Sequence, residues 1–313
     1  MLETNVQVIK EKDPGFTIAD KEKKIALLCT NGFQNADVHD ATNMIEYFKQ
    51  NFASDYPNFK IVPVQLFHPA DKKTHKAHLY EKILDEAIKD NLAEGYDIVL
   101  MGYSFSAALT CKLQHKYKDK IKKLILVAPI YDTIVNGMIG GYIQYVLKFR
   151  RLVKRYGARV AKAMGRNTTK GMIGLLLSIL RSILACRGYY KKVTCETLIL
   201  RGDKDELCNL HSLKKIRFHL KGKQALYRYP EMDHGLLKTI RDNKVAYEDI
   251  LHFAFNTPFI AETNTELLNQ EVKSQEVKVK YDEDGERIPT FMEIFNELEP
   301  DAEAERKKDQ ESL

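Results

Sequence analysis

The chain has 313 residues, 44% of them hydrophobic, so it can bury a full core as one large α/β domain with an insertion or as two small domains. It has no uncharged apolar run of about 18 residues, and its first 24 residues are charged without an apolar stretch, so we expect neither a transmembrane helix nor a signal peptide. Its five cysteines are odd in number and scattered, which argues against a disulfide framework and predicts a reducing, cytoplasmic compartment.

Charge is distributed unevenly along the chain. The net charge is +6, yet residues 262–313 hold 16 Asp and Glu against 7 Lys and Arg, a balance of −9 that leaves +15 on the first 261 residues. A basic body followed by an acidic tail predicts either an anionic partner or surface, or a tail that folds back onto the body.

The N-terminal third alternates between strand and helix patterns. In chain order these patterns predict a strand at 24–30, a helix at 38–52, a strand at 59–67 and a helix at 78–94. His68, His75 and His78 fall between the last two at a spacing that matches no metal site, so we expect solvated loop histidines. On its residues alone, the sequence Asn31-Gly32-Phe33-Gln34 after the first strand predicts a plain Asn-Gly turn.

A serine between small residues marks the end of the third predicted strand. The apolar run at 98–101 stops at Gly102-Tyr103-Ser104-Phe105-Ser106, and a helical pattern begins at residue 107. A strand that turns tightly into a helix can hold a serine as a nucleophile at the end of a sheet. Because the turn strains the serine backbone, the positions two before and two after it must be small, and Gly102 and Ser106 meet that requirement.

This stretch resembles the nucleophile elbow of the α/β-hydrolase superfamily, Gly-x-Ser-x-Gly, with Ser106 where the last glycine usually stands. The resemblance, of the serine esterase and lipase type, covers residues 24–256. It implies an acid and a histidine that follow Ser104 in that order, and an oxyanion hole formed by the backbone N–H groups of Phe33 and Phe105. Asn31 replaces the His that usually precedes the glycine there, but a backbone donor needs no particular side chain.

Further strand patterns at 122–130, 194–200 and 224–230 and a helix pattern at 245–255 complete the alternation. Strands separated by helices predict a mostly parallel, doubly wound sheet of the α/β class, and the resemblance implies the α/β-hydrolase fold with a helical cap insertion. The ligand crevice is expected beyond the carboxyl ends of the strands, where Phe33 and Ser104 would both lie.

Residues 133–195 interrupt this alternation with 13 Lys and Arg and no Asp or Glu. Helical patterns occur at 142–162 and 172–186, and the second is too short to span a bilayer. The resemblance implies that residues 133–192 form a helical cap over the active site. Their basic, amphipathic character predicts peripheral contact of residues 142–187 with an anionic membrane, on the inner face. The alternative is a helical hairpin that buries its leucines on the core and solvates its charges.

Two later turns supply the remaining groups that the resemblance implies. The turn Arg201-Gly202-Asp203-Lys204-Asp205 maps Asp205, with Asp203 as the alternative, onto the acid that orients the histidine. His234, in the loop between the last strand and the final helix, maps onto the general base. Each match is weak alone, but Ser104, Asp205 and His234 occur in the expected order and contexts.

The predicted organisation is a core from residues 1–132 and 193–258, the insertion at 133–192, and an acidic, partly disordered tail at 259–313. A capping box and an apolar face predict a short helix near 290–299 within the tail. This helix is interpreted either as a latch that docks on the insertion or a partner, or as a frayed terminal helix.

The resemblance implies a serine hydrolase that cleaves carboxylic esters of hydrophobic acyl chains through an acyl-enzyme on Ser104, with no cofactor and no metal. A carboxylesterase or lysophospholipase-like lipase fits best, and lysophospholipids, monoacylglycerols and acyl thioesters remain open as substrates. The alternative is a catalytically weak or inactive binding protein of the same fold that uses its basic cap on an anionic membrane or ligand. No recognition motif accompanies the basic body, so a nucleic-acid partner is not expected.

Overall fold

The structure is a computed structural model. It describes residues 8–17, 22–32, 39–67, 72–131, 169–205, 208, 210–230, 232, 234, 245–255, 280–281 and 287–288. Outside the described residues lie Phe33, His68, residues 133–168 of the predicted insertion with its helix at 142–162, and the tail from residue 259 apart from 280–281 and 287–288. The predicted helix near 290–299 is among the tail residues left out.

A seven-stranded sheet forms the centre of the described structure. Its strands are β1 (Ile9–Lys10), β2 (Ile25–Thr30), β3 (Phe59–Val64), β4 (Asp97–Tyr103), β5 (Ile121–Val127), β6 (Glu196–Gly202) and β7 (Gln224–Tyr229). They lie in the order β1-β7-β6-β5-β4-β2-β3, and all neighbours are parallel except β1, which is antiparallel to β7. A second, two-stranded sheet pairs β8 (Lys280–Tyr281) with β9 (Arg287–Ile288). The predicted mostly parallel α/β sheet is confirmed.

Helices cover both faces of the large sheet. They are α1 (His39–Asn51), α2 (Ala77–Ala93), α3 (Ser106–Tyr117), α4 (Thr169–Cys186), α5 (Leu210–His219) and α6 (Val245–Phe255), with 3₁₀ turns at Lys72–Thr74, Lys118–Lys120 and Arg187–Lys192. Side chains of α1 and α6 share one buried cluster with the sheet, and side chains of α2 to α5 share the other. The sheet is therefore doubly wound.

Strand β4 shows why both faces are covered. Val99 and Met101 belong to the cluster with α1 and α6, whereas Ile98 and Leu100 belong to the cluster on the opposite face. None of the four is more than 2% exposed. A strand that is buried on both faces needs a continuous apolar run rather than an alternating one, and residues 98–101 supply it.

The described part of the predicted insertion, residues 169–192, belongs to the helical layer on one face of the sheet. Helix α4 packs against α2 and α3, and it buries Leu175, Ile179 and Ile183. Core packing thus explains the inward face of this helix, whereas Leu177 and Leu184 lie on its exposed face. Its outward face remains available to solvent.

Helix length and side-chain exposure bear on the expectations about membrane spanning and the loop histidines. In the described ranges, no helix combines the length and the apolar character needed to cross a membrane. His78 is exposed, but His75 is only 8% exposed and packs edge-on against Phe67, so the prediction of a solvated loop was wrong for His75. Ser178 of α4 donates a hydrogen bond to the His75 carbonyl at 2.7 Å, which fixes this segment beneath α4.

Candidate active site

The predicted elbow is a sharp turn between β4 and α3. Ser104 has φ 59°, in the left-handed region that residues with a Cβ rarely adopt. Its N–H donates to the carbonyl of Val127 at 2.8 Å, so the neighbouring strand β5 helps to fix this strained conformation. The serine side chain is thereby presented at the carboxyl end of the parallel strands.

Gly102 is required because the chain approaches itself closely at this turn. A Cβ at Gly102 would lie 2.6 Å from the Cα of Ala107 and 2.7 Å from Oγ1 of Thr110. Contacts this short with backbone cannot be relieved by a rotamer change. The first small position of the motif is therefore set by the packing of β4 against α3.

Ser106, at the second small position, is completely buried and uses its hydroxyl within the turn. It donates to the carbonyl of Tyr103 at 2.7 Å and accepts from the N–H of Tyr103 at 2.9 Å. The hydroxyl of Thr30, at the end of β2, lies 2.8 Å from it. The departure from glycine thus adds hydrogen bonds that join two adjacent strand ends.

Tyr103 connects the elbow to the loop that carries His234. Its ring lies 6.0 Å from the His234 imidazole at an interplanar angle of 20°, and its hydroxyl donates to the His234 carbonyl at 2.6 Å. A Cβ at Gly32 would lie 2.8 Å from the Tyr103 ring, so the glycine of the Asn-Gly turn leaves room for this ring. Tyr103 was not predicted from the sequence as a site residue.

The structure brings Ser104, His234 and Asp205 together. Nε2 of His234 lies 2.8 Å from Oγ of Ser104, and Nδ1 lies 2.9 Å from Oδ2 and 3.0 Å from Oδ1 of Asp205. Because an ionised carboxylate can only accept, Nδ1 carries the hydrogen, and Nε2 is left to accept from the serine hydroxyl. This is the arrangement in which a histidine can remove the serine proton.

Asp205 is held by its own loop. Its side chain is fully buried, and Oδ1 accepts a hydrogen bond from the N–H of Cys208 at 2.7 Å. The buried guanidinium of Arg201 donates to the carbonyl of Cys208 at 2.8 Å and reaches the carbonyl of Asp205 at 3.4 Å. Arg201 therefore organises the turn that aims the carboxylate at His234, a role that its sequence context did not reveal.

Asp203, the alternative acid, has other partners. Its carboxylate accepts hydrogen bonds from Arg201 at 2.9 Å and from two nitrogens of Arg228 at 2.8 and 2.6 Å. Its N–H donates to the carbonyl of Tyr229 at 3.0 Å, which joins the turn to the end of β7. Asp203 thus links β6 to β7, and the structure places Asp205 against the histidine.

One of the two predicted oxyanion donors can be located. Phe105 opens the first turn of α3, where backbone N–H groups lack intrahelical partners, and its N–H makes no hydrogen bond to the described residues. The helix terminus adds a partial positive charge beside Ser104. The second predicted donor, Phe33, lies outside the described residues.

Asn31, at the position where the superfamily usually has a histidine, is buried and connects two strand ends. Its Oδ1 accepts a hydrogen bond from the N–H of Leu66 at 2.8 Å, beyond the end of β3. The side chain therefore helps to fix the path of the chain as it enters the turn at Gly32.

The described residues include no group of three or more His, Cys, Asp and Glu side chains that is arranged to hold a metal ion. The groups that the structure places at this site are a serine hydroxyl, an imidazole, a carboxylate and a backbone donor. Such a set suits nucleophilic acyl transfer.

The chain resembles solved structures in its fold but matches no known protein family by sequence. No protein-family profile and no curated protein sequence matches the chain. The structure of the metagenome-derived lipolytic enzymes LipS and LipT is similar, with 13% identity, a TM-score of 0.53, and coverage of 80% of this chain and 98% of that chain.

Two further solved structures show the same degree of likeness. A lipase-esterase related protein from Clostridium acetobutylicum has 12% identity, a TM-score of 0.52, and coverage of 79% of this chain and 99% of its own. Olei00960, a hydrolase from Oleispira antarctica, has 13% identity, a TM-score of 0.52, and coverage of 82% and 96%. At such identities the likeness concerns the fold, and it confirms the fold predicted from the sequence.

Proposed function

The chain has the α/β-hydrolase fold, and we propose that it is a serine hydrolase that cleaves carboxylic esters of hydrophobic acyl chains. The observation that carries this proposal is the contact between Ser104 and His234, at 2.8 Å, with Asp205 on the other side of the imidazole. The strained backbone of Ser104 supports it, because strained backbone conformations are concentrated at functional positions.

In the proposed acylation step, Oγ of Ser104 attacks the ester carbonyl carbon while its proton passes to Nε2 of His234. Asp205 stabilises the imidazolium that forms. The backbone N–H of Phe105, together with that of Phe33, receives the oxyanion, and losing one such donor typically costs about 3 kcal/mol in the transition state. Collapse of the tetrahedral intermediate expels the alcohol, which takes the proton from His234 and leaves the acyl group on Ser104.

Deacylation follows the same route with water as the nucleophile. His234 accepts a proton from the water that attacks the acyl-enzyme, and returns it to Ser104 as the carboxylic acid leaves. No cofactor is needed for either step. Each group therefore returns to its starting protonation state after one turnover.

The substrate class is inferred from the charge of the insertion. Residues 133–195 lack acidic side chains and carry 13 cations, so a substrate with a free ammonium group would find no carboxylate partner there. A hydrophobic acyl chain, alone or joined to an anionic group, suits this composition. Lysophospholipids and monoacylglycerols are accordingly the first natural esters to examine.

The test is hydrolysis of p-nitrophenyl esters with short and medium acyl chains. We expect turnover by the full chain and a loss on the order of 10⁶-fold in kcat in Ser104→Ala and in His234→Ala, with no further loss in the double variant, because the groups act as a unit. Ser54→Ala, at an exposed serine, is the matched control. A Ser104→Ala protein that retained the full rate would eliminate the proposal.

The alternative is a binding protein of the same fold with an inactive site. Its support in the sequence was the departure from the usual motif at Asn31 and Ser106. Both side chains take part in buried hydrogen bonds that hold the strand ends together, which weakens this alternative. A chain that showed no turnover and no reaction of Ser104 with a fluorophosphonate would favour it.

A further inference from the structure

Two helices on one side of the sheet carry a concentration of exposed apolar side chains. Of the five large hydrophobic residues that are exposed in the described structure, four lie on α4 and α5: Leu177 at 49%, Leu184 at 40%, Leu210 at 53% and Phe218 at 86%. Single exposed apolar residues are ordinary, but such a concentration on neighbouring elements typically marks an interaction surface.

Both helices repeat the same outward pattern. The residues are Leu177, Arg181 and Leu184 on α4, and Leu210, Lys214 and Phe218 on α5. Their spacing of three or four residues places each set on one helix face. All six are exposed, so each helix presents a cation between two apolar side chains.

The 3₁₀ turn Arg187–Lys192 contacts both helices and adds further cations between them. Neither helix nor the turn contains an Asp or Glu. Acidic side chains on neighbouring elements are paired with cations: Glu81 with Lys112 at 2.6 Å, and Glu11 with Arg217 at 2.6 Å. The surface is therefore positively charged.

We propose that α4, the turn Arg187–Lys192 and α5 form a docking surface for an anionic lipid membrane. The apolar side chains would enter the boundary between head groups and acyl chains, and the cations between them would meet lipid phosphates and carboxylates. A protein partner is less well suited, since the centre of a protein interface is depleted in charged residues, whereas here the cations lie between the apolar side chains. Separate apolar anchors interspersed with cations fit a fluid lipid interface.

This surface refines the membrane contact predicted from the sequence. It includes residues 169–187 of the predicted segment and extends beyond it to α5. Leu210 follows Asp205 closely in the chain, so the surface begins at the sheet edge that carries the candidate active site. The inference goes beyond the proposed function, because docking is independent of whether Ser104 is reactive.

The experiment is co-sedimentation of the full chain with phosphatidylcholine vesicles that contain or lack phosphatidylserine. The Ser104→Ala protein is used so that vesicle lipids are not hydrolysed. We expect sedimentation with the phosphatidylserine vesicles, little with phosphatidylcholine alone, and weakening as salt is raised.

Paired variants separate the contributions of charge and apolar area. Arg181→Glu with Lys214→Glu should lower the partition coefficient by about 30-fold or more, since each cation near an anionic surface contributes about 1 kcal/mol. Leu177→Ser with Phe218→Ser should lower it by about tenfold or more. The matched controls are Lys23→Glu with Lys49→Glu for charge, and Ile9→Ser, the fifth exposed hydrophobic residue, for apolar area.

Three results would overturn the proposal. One is a full chain that stays in the supernatant with phosphatidylserine vesicles. Either a surface without lipid affinity or a surface covered by the acidic segment 262–313 would give this result. Another is equal loss of binding in the control variants. The third is binding that depends neither on phosphatidylserine nor on salt. Ester hydrolysis and Ser104 labelling are measured separately, so failure of docking and failure of the proposed function are distinguishable.

Discussion

At the scale of single residues, Ser106 shows how a serine can stand where related elbows have glycine. The position must be small because the chain turns back on itself after the strained Ser104. A serine side chain fits when its hydroxyl is fully used, and here it contacts Tyr103 N, Tyr103 O and the Thr30 hydroxyl at 2.7 to 2.9 Å. The same contacts join the ends of β4 and β2.

Removing this hydroxyl should therefore weaken the fold. Ser106→Ala leaves the buried N–H of Tyr103 without its acceptor, and we expect the free energy of unfolding to fall by about 2 kcal/mol in urea denaturation. Ser54→Ala, in an exposed turn, should change it by less than about 0.5 kcal/mol. Equal stability of the two variants would mean that the Ser106 hydroxyl contributes nothing to the turn.

The two aspartates of the acid turn can be separated by kinetics. Asp205→Asn should lower kcat by about 10⁴-fold in ester hydrolysis, because an amide favours the wrong imidazole tautomer. Asp203→Asn should leave kcat within about tenfold and act mainly on stability, since its carboxylate contacts Arg201 and Arg228. The reverse ranking of kcat would assign the role of the acid to Asp203.

Residue-level prediction from the sequence used one local signal at each position. Ser104 follows an apolar run and lies between small residues, and His234 lies in a loop ahead of a helix. Tyr103 and Arg201 were missed because their roles depend on tertiary contacts. The hydrogen bond from Tyr103 to His234 joins residues 131 positions apart, and no local pattern reports such a contact.

At the scale of secondary-structure elements, the close approach of β4 to α3 fixes the elbow. Gly102→Ala places a Cβ 2.6 Å from the Ala107 Cα, so the helix must shift away from the strand. We expect a loss of about 2 to 4 kcal/mol in thermal or urea unfolding, together with loss of activity.

Gly174→Ala is the matched control for this substitution. A Cβ there meets nothing within 4 Å, and in a helix alanine should stabilise by about 0.5 to 1 kcal/mol relative to glycine. If Gly102→Ala were as stable as Gly174→Ala, the close packing of the elbow against its helix would be wrong.

A buried lysine on β5 gives the fold a distinct pH dependence. Lys123 is 4% exposed, donates to the carbonyl of Phe253 at 3.1 Å and lies 3.4 Å from Glu196. Burial lowers the pKa of this lysine to about 8, although the Glu196 carboxylate partly opposes the shift. The native state thus releases this proton at lower pH than the unfolded chain.

The sign of the effect follows from proton binding. Between pH 10.5 and about 8 the unfolded chain keeps the proton that the native state has lost, so native stability rises with pH, by about 3 kcal/mol in total. Below about pH 8 both states are protonated and the contribution is constant. Lys123→Met should remove this rise in urea denaturation across the same range, and parallel pH curves for the two proteins would contradict it.

Element-level prediction was most accurate for long periodic segments. The patterns at 38–52, 78–94, 172–186 and 245–255 correspond to α1, α2, α4 and α6. Strand β1 was missed because it has only two residues, and a hydrophobic period cannot be detected over so short a segment. Helix α5 was missed because Leu210 and Phe218 lie on its outward face, which obscures the helical period.

At the scale of the whole molecule, the candidate site exists only when the sheet is complete. Ser104 follows β4, Asp205 follows β6 and His234 follows β7, and parallel pairing brings these strand ends to one edge. The order of the three residues could be predicted from the sequence by resemblance. The distances between the three side chains, and the contacts of Asp203 with two arginines, become visible only once the strands are placed side by side in the sheet.

The central claim is that this convergence makes Ser104 nucleophilic. Its most direct measurement is the intact mass and peptide map of the full chain after reaction with a fluorophosphonate. We predict one adduct, on Ser104, that is absent from Ser104→Ala and His234→Ala and is lost when the chain is unfolded in urea before labelling. No adduct on the native chain, or an adduct elsewhere that persists in Ser104→Ala, would contradict it.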